Sequence, residues 1–361
     1  MIRVLELFSG IGSCSKALER LGIEHEIVDS VEIDKYAVKS FNAIHGTNFE
    51  PQDITKWDKD IKVDLIMHGS PCQDFSIAGR GKGGDKGSGT RSSLLYETVR
   101  IVGKLKPKVV IWENVKNLLS KKHVHNFNAY LEAMEGLGYK NYYKVLNAKD
   151  YNIPQNRERV FTISILDGRD FEFPEPVEME RKLKDMLEKN VADKYTISDA
   201  MMGYFLGVNQ KPSKFPRKER FLANINRKNK DRANSITTNP GQRPTDNFVG
   251  IKVQIRSANK KGYDLAQDGD GIDFAYLHSN TRRGRVGHEV SKTITCSDTL
   301  GCMQGRRLRK LTPKECWRLM GFDDEDFDKA SKVNSNTQLY KQAGNSIVVD
   351  VLEGILKNIY G

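Results

Sequence analysis

Residues 3–12, near the start of the chain, read RVLELFSGIG and indicate the fold class. Residues 3–8 form a short apolar run that is typical of a buried strand. Gly10 and Gly12 predict a tight turn, because glycine tolerates backbone angles that other residues avoid. Residues 13–21 then continue as a helix. A strand, a glycine turn and a helix in this order indicate an α/β fold.

The chain repeats this alternation up to residue 165. Further strands are predicted at residues 25–31, 64–68, 109–112, 142–147 and 160–165. Further helices are predicted at residues 35–41, 92–105 and 125–137. Short apolar strands separated by helices favour parallel pairing. We therefore expect a Rossmann-like, mostly parallel sheet with helices on both faces.

The last part of the chain predicts two more helices. Thr312 and Glu315 have the spacing of a capping box, so a helix is expected over residues 313–320. Residues 346–359 carry apolar side chains at helical spacing, and this helix must pack on another element. The simplest partner is the N-terminal sheet.

The charge of the chain is concentrated in one segment. The 361 residues include 58 Lys+Arg and 47 Asp+Glu, a net charge of +11. Residues 205–310 hold 22 basic and 9 acidic residues, a net of +13, which leaves 36 against 38, a net of −2, elsewhere. A solvated surface explains many such segments. Arginine- and asparagine-containing loops such as RRGR at residues 282–285 nevertheless favour a polyanion partner.

Several classes of protein are disfavoured by the composition. No apolar run approaches the roughly 18 residues of a membrane span, and the N-terminus lacks a signal-peptide pattern. Five cysteines without a CxxC pair fit a disulfide framework poorly. We expect a cytoplasmic protein without a membrane partner.

An adenosine-containing cofactor is favoured by the residues around the first turn. Gly10 and Gly12 lack the third glycine of a dinucleotide fingerprint, and alone they fit a purely structural turn equally well. Glu32, at the end of the second strand, can hold ribose hydroxyls, and Asp53 can accept from an exocyclic amine. S-adenosylmethionine fits this pattern better than a nicotinamide dinucleotide.

Three further motifs follow strands at the edge where α/β folds bind ligands. Cys72 follows residues 64–68 and precedes a glycine-rich stretch, which suggests a nucleophile under a mobile lid, although a lone cysteine is more often a buried apolar residue. Glu113 follows residues 109–112 and is a candidate acid or base. Arg157 and Arg159 enter a strand on one face, where a surface ion-pair ladder is the alternative.

The motifs occur in a fixed order along the chain: FSGIG at residues 8–12, GSPCQDFS at residues 69–76, ENV at residues 113–115, QNRERVF at residues 155–161 and GNS at residues 344–346. In this order the chain resembles the C5-cytosine DNA methyltransferase family from one end to the other. The resemblance implies a Rossmann-like S-adenosylmethionine-dependent methyltransferase domain over residues 1–180, completed by residues 334–361. It also implies a smaller, irregular, mainly β target recognition domain with a connecting helix over residues 181–333.

The resemblance implies a role for each motif. Cys72 would attack C6 of a flipped-out cytosine, and Glu113 would hydrogen-bond N3 and the exocyclic amine. Arg157 and Arg159 would contact O2. Contacts to S-adenosylmethionine, released as S-adenosylhomocysteine, would come from Phe8, Gly10, Ile11, Gly12, Glu32, Ile33, Asp53, Ile54, Pro71, Leu94, Asn345 and Ser346. Contacts to DNA would come from Ser76, Arg80, Arg91, Arg243, Arg282, Arg283 and Arg285.

The resemblance also implies the partners. We expect a monomer that needs no metal and methylates double-stranded DNA in a bacterial or phage setting, where a cognate restriction endonuclease would act separately. A tRNA cytosine methyltransferase on the same scaffold and a non-catalytic cofactor-binding nucleic-acid module are the alternatives. The large basic region favours duplex DNA over RNA, and the intact Cys72 and Glu113 argue against a non-catalytic module.

Overall fold

A six-stranded sheet organises the first part of the chain in the computed structural model, which describes residues 1–71, 94–197, 253–276, 279, 281–305 and 307–361. Its strands are β1 (Ile2–Leu7), β2 (His25–Val31), β3 (Leu65–His68), β4 (Val109–Val115), β5 (Lys140–Asn147) and β6 (Glu158–Ile165). They lie in the order β2-β1-β3-β4-β6-β5. The first four of these pair in parallel, and β6 runs antiparallel to both neighbours. The predicted mostly parallel, Rossmann-like sheet is confirmed.

Helices connect and close this sheet. The connecting helices are α1 (Ser13–Arg20), α2 (Lys35–His45), α3 (Leu95–Leu105) and α4 (Val124–Gly136). After a short α5 (Leu183–Met186), the chain ends with α6 (Pro313–Arg318), α7 (Asp324–Ser331), α8 (Asn336–Asn345) and α9 (Val349–Tyr360). Short 3-10 turns occupy Lys116–Leu119, Ala148–Tyr151 and Asp193–Tyr195. None of the helices among the described residues has the length and apolar content needed to cross a membrane.

The local signals at helix ends were better guides than hydrophobic spacing. The amide of Thr312 donates to Glu315 Oε2 at 2.8 Å and the amide of Glu315 to Thr312 Oγ1 at 3.2 Å, which confirms the predicted capping box before α6. Helices α7 and α8 were not predicted, because both are mostly polar and their few apolar positions are widely spaced. The final helix begins at Val349 rather than at residue 346.

Strand β4 is longer than the sequence indicated. The predicted strand stopped at residue 112, but β4 continues to Val115 because its last residues pair with β6. Glu113 lies opposite Phe161, and Val115 lies opposite Arg159. Glu113 is therefore part of the strand rather than of the loop after it, and the neighbouring strand holds its backbone.

The described chain divides into two compact units. The first comprises Met1–Arg181, Ile294–Ser297 and Cys316–Gly361, and the second comprises Lys182–Thr293 and Asp298–Glu315. Strands of the second unit are β7 (Val253–Arg256), β8 (Tyr263–Ala266), β9 (Gly271–Asp273), β10 (Val286–Gly287), β11 (Leu300–Gln304) and β12 (Arg307–Lys310). β7 and β8 form a hairpin, and the other four form an antiparallel sheet in the order β10-β9-β11-β12. The described part of this unit is small and mainly β, as predicted.

Residues 316–333 lie in the first unit of the described chain. The division that places a target recognition domain with a connecting helix over residues 181–333 stays a prediction. Nζ of Lys16, on α1, lies 2.9 Å from Asp323 Oδ2 and 3.0 Å from Asp326 Oδ2. The indole of Trp317 donates to a backbone carbonyl of α8 at 3.0 Å. These long-range contacts attach the segment to the first unit, and no local sequence pattern announces them.

Candidate active site

The turn after β1 is closely packed at one glycine and open at the other. Phe8, Gly10 and Gly12 all have positive φ, at 52°, 58° and 83°. A Cβ on Gly12 would lie 2.1 Å from Nε2 of His45, so only glycine fits at that position. A Cβ on Gly10 would meet no atom within 4 Å. Ile11, between the two glycines, is buried. The open side at Gly10 lets a ligand approach the backbone.

Glu32 joins the end of β2 to this turn. Its Oε2 accepts from the amide of Gly10 at 3.1 Å, and its Oε1 accepts from the amide of Asp34 at 2.8 Å. Burial raises the pKa of the Glu32 carboxyl. The next side chain, Ile33, is 71% exposed, an unusual position for isoleucine. A carboxylate acceptor and an exposed apolar side chain thus stand together at the end of β2.

Four further predicted cofactor residues, Asp53, Ile54, Pro71 and Leu94, have different surroundings. Oδ1 of Asp53 accepts from the hydroxyl and the amide of Thr55 at 2.8 and 3.0 Å, and these hydrogen bonds lower the pKa of Asp53. Ile54 is buried in the core. Pro71 and Leu94 are half-buried on either side of residues 72–93.

The end of α8 contacts Ile294–Ser297, a short segment that also belongs to the first unit. Asn345 is exposed, and its Oδ1 accepts a hydrogen bond from the Cys296 thiol at 2.9 Å. A Cβ on Gly344 would lie 2.4 Å from the backbone nitrogen of Cys296, so only glycine allows this approach. Ser346 is buried, and its hydroxyl donates to a backbone carbonyl of α8 at 2.7 Å. No motif in the sequence predicts this contact with Ile294–Ser297.

Glu113 and Arg159 form an ion pair between neighbouring strands. Nε of Arg159 lies 2.9 Å from Oε1 of Glu113, and the side chains are 17% and 11% exposed. Because Glu113 pairs with Phe161, Arg159 is its diagonal neighbour on the same face. These two side chains line a small pocket together with Leu146, Ala148, Arg157, Phe161, Ile347, Val348 and Val351.

Arg157 lines the same pocket but directs its guanidinium at backbone carbonyls. It donates to three of them: Ile294 (3.0 Å), Gly344 (3.1 Å) and Ser346 (2.8 Å). Its side chain is buried, and the buried Gln155 accepts from the amide of Ile294 at 2.9 Å. In the described chain the guanidinium thus contacts the protein's own backbone, and the contact of Arg157 with the cytosine O2 stays a prediction.

A buried hydrogen-bond network supports the residue before Pro71. Trp112 donates from Nε1 to Ser70 Oγ at 3.0 Å, and Asn114 donates from Nδ2 to the Ser70 carbonyl at 3.3 Å. The indole also stacks on the buried His68, with ring centroids 5.8 Å apart. Ser70 and Trp112 have no role among the residues predicted from the sequence. The available signal was the indole itself, because a buried N–H needs an acceptor.

Glu6 is a second residue without a predicted role. It is 2% exposed within β1, and its Oε1 accepts from the amide of Ser15, at 3.0 Å, and from the Ser15 hydroxyl. Burial raises the pKa of Glu6 to about 7. An acidic residue inside an otherwise apolar strand was the signal in the sequence.

The arginines predicted to contact DNA have different surroundings in the second unit. Arg285 is 2% exposed and donates to the carbonyls of Asp273 (3.0 Å), Ala275 (2.7 Å) and Tyr276 (2.8 Å). Burial lowers its pKa. Nε of Arg282 donates to the Asp273 carboxylate at 3.0 Å, and Arg283 is exposed. The guanidinium of Arg285 is buried in the protein, and its contact with DNA stays a prediction.

Other basic residues of this segment form ion pairs within the protein. Arg309 and Glu315 form a fully buried ion pair, with Nη2 2.6 Å from Oε1. Arg307 Nη2 lies 2.9 Å from Asp193 Oδ1. The net charge of residues 205–310 therefore overstates the positive charge presented to solvent. Five predicted residues lie outside the described residues: Cys72, Ser76, Arg80, Arg91 and Arg243.

Comparison with known proteins identifies the family. A family model described as C-5 cytosine-specific DNA methylase matches residues 2–361. The chain belongs to this family. The methylase is 33% identical to the orphan methyltransferase M.SPRI of Bacillus phage SPR, over 99% of this chain and 97% of that protein. It is 34% identical to the type II methyltransferase M2.ScrFI of Lactococcus lactis subsp. cremoris, over 100% of this chain and 99% of that protein.

Solved structures share the fold of the methylase. The S. pombe Dnmt2 methyltransferase superposes with a TM-score of 0.61 at 17% identity, and both chains are covered completely. The Entamoeba histolytica methyltransferase EhMeth superposes with a TM-score of 0.63 at 17% identity, over 100% of this chain and 98% of that chain. The methylase is a DNA (cytosine-5-)-methyltransferase of a family that depends on S-adenosylmethionine.

Proposed function

We propose that the methylase acts on a cytosine flipped out of a specific duplex DNA sequence, through a covalent bond between Cys72 and C6 of the base. The observation that carries this proposal is the Glu113–Arg159 pair beside a pocket of the first unit. A carboxylate and a guanidinium 2.9 Å apart can together contact the polar edge of one pyrimidine. Cys72 directly follows Pro71, after the buried Ser70 network.

The residues at the ends of β1 and β2 fit S-adenosylmethionine. Glu32 offers carboxylate oxygens to the ribose hydroxyls, and the exposed Ile33 offers an apolar contact to the adenine. The open space at Gly10 accommodates a ligand close to the backbone. Asp53 and Asn345 would complete the site. When bound, S-adenosylmethionine supplies an electrophilic methyl group on a sulfonium, and the reaction needs no metal.

The chain's own residues account for the activation of the base. Addition of the Cys72 thiolate to C6 forms a carbon–sulfur bond, opens the C5–C6 double bond and makes C5 electron-rich. Glu113, hydrogen-bonded to N3 and the exocyclic amine, and Arg159, at O2, offset the negative charge on the ring. C5 then takes the methyl group, and the bonding electron pair stays on the leaving sulfur. Loss of the C5 proton to solvent and departure of the Cys72 thiolate restore the ring.

Arg157 has a positioning role in this proposal. Its three hydrogen bonds fix the segment at Ile294 and the end of α8 with Ser346, a stretch that includes Asn345. We assign the second unit to target recognition, since its surface includes the exposed Arg283. Similarity to phage orphan and type II methyltransferases supports a restriction–modification or self-protection setting in the cytoplasm. A monomer and a separate cognate endonuclease fit that setting.

The activity is tested by incubating the protein with methyl-labelled S-adenosylmethionine and either duplex DNA or tRNA. We expect label in DNA at cytosine C5 and none in tRNA; label in tRNA alone would favour the alternative substrate, and label in neither would overturn the proposal. Cys72→Ser should abolish transfer and leave DNA binding intact, whereas Cys296→Ser, the matched control, should still form the covalent adduct. Near-normal transfer by Cys72→Ser would exclude the covalent mechanism.

A further inference from the structure

The loop between β9 and β10 is anchored by an internal arginine. The strands pair antiparallel, with Ile272 opposite Val286. Of the chain that connects them, residues 274–276, 279 and 281–285 are described. Arg285 is buried and donates to carbonyls on the opposite side of the loop, including that of Tyr276 at 2.8 Å. Asp273 adds a carboxylate that accepts from the amide of Ala275 at 2.8 Å. The described part of the loop therefore has a defined conformation although it contains no regular structure.

Tyr276 is held in a conformation that tyrosine seldom adopts. Its φ is +52°, in the left-handed region where a side chain crowds the backbone. Its carbonyl accepts from Arg285 and also from the amide of Ser279, at 2.9 Å. Strained residues that the surrounding structure over-determines concentrate at functional sites. Tyr276 is 67% exposed, so its aromatic ring lies at the surface.

Basic side chains accompany this ring. The guanidinium of Arg282 lies over the Tyr276 ring, 5.6 Å from its centroid. Arg283 is exposed. Because Arg282 is paired with the Asp273 carboxylate, Arg283 is the stronger candidate for a phosphate contact. An exposed aromatic ring among arginines combines a surface that can pack on a base with charge that attracts the backbone.

We propose that Tyr276 is a specificity-determining residue that contacts a base of the target sequence, while Arg283 contacts a phosphate. Arg285 is a positioning residue that presents Tyr276. This inference rests on the proposed role of the second unit in target recognition. In this proposal an aromatic side chain, rather than one of the basic residues, recognises a base of the target DNA.

The test uses variants that suit the backbone at this position. Tyr276→Gly and Tyr276→Asn both remove the ring, and both residues tolerate positive φ. We therefore expect no loss of melting temperature from either change. Each variant would methylate a random-sequence duplex library, and sequencing of the methylated cytosines would give its preference at each base position. Tyr143→Ala, which removes an exposed tyrosine of the first unit, is the matched control.

We expect both Tyr276 variants to lose about tenfold or more of the preference at one base position, with unchanged affinity for S-adenosylmethionine. Arg283→Ala should weaken methylation of all sequences alike and reduce the salt dependence of DNA binding by about one counterion. A Tyr276 variant that keeps the wild-type preference at every position would overturn this inference alone. Failure of the wild-type protein to methylate any DNA would instead overturn the proposed function.

Discussion

Nε of Arg159 lies 2.9 Å from Oε1 of Glu113, on neighbouring antiparallel strands that place the two side chains diagonally on one face. Strand pairing fixes both backbones, so little freedom remains in the relative position of the carboxylate and the guanidinium. Such preorganised charges act on the transition state without a cost for reorganisation. The pair therefore suits stabilisation of charge on a base better than structural support, for which an apolar contact would serve.

Replacement of Glu113 should affect the chemical step. We expect Glu113→Gln to lower the single-turnover rate of methyl transfer about 100-fold or more, because the ring loses a charged partner. Affinity for S-adenosylmethionine, measured by equilibrium binding, should change less than about twofold. Glu158→Gln, at an exposed neighbouring carboxylate, is the control and should keep the normal rate. If the variant lost only affinity for S-adenosylmethionine, Glu113 would be reassigned to cofactor binding.

Ser70 should couple energetically to Trp112. Ser70→Ala leaves the buried indole N–H without its acceptor, so we expect a loss of about 1–3 kcal/mol in the free energy of unfolding and slower transfer. Trp112→Phe removes the same hydrogen bond from the other side. In a double-mutant cycle by urea denaturation, the double variant should lose clearly less than the sum of the single losses. Strict additivity would show that the hydrogen bond contributes nothing.

Arg157 should behave as a structural residue. Arg157→Ala leaves three backbone carbonyls without their donor, and we expect the free energy of unfolding to fall by about 3 kcal/mol or more. Arg157→Lys should recover little of this free energy, because an ammonium lacks the planar array of N–H donors of a guanidinium. Urea denaturation measures both. Full stability of Arg157→Ala with a selective loss of turnover would instead support direct contact with the base.

Glu6 should make stability depend on pH. Its pKa rises from an ordinary 4.5 to about 7 in the folded protein, so folding favours the protonated carboxyl. This contribution is complete below about pH 4.5 and is lost as the pH rises through about 7. Relative to Glu6→Gln, the wild type should lose about 3 kcal/mol of unfolding free energy over that interval.

Chemical denaturation near pH 5 and near pH 8 tests this dependence. The exposed Glu50→Gln is the control for removal of a surface carboxylate. A constant difference between wild type and Glu6→Gln would mean that Glu6 keeps an ordinary pKa in the folded state.

Short-range features of the chain were predictable because neighbouring residues produce them. Residues a few positions apart produce the glycine turn after β1, the Thr312–Glu315 cap and the alternation of strands and helices. Helices α7 and α8 were missed because they lack an apolar stripe, and the contacts of Lys16 with Asp323 and Asp326 join residues about 300 positions apart. No local pattern contains that information.

The α/β class, the order of the motifs and the family of the chain follow from the residues read along the chain. The role of each arginine depends instead on the folded protein. Arg157 and Arg285 donate to backbone carbonyls, Arg309 is buried against Glu315, Arg159 faces Glu113, and Arg283 is exposed. The physical reason is that a guanidinium carries the same charge in every sequence position, whereas its role depends on which acceptors the folded chain brings within about 3 Å.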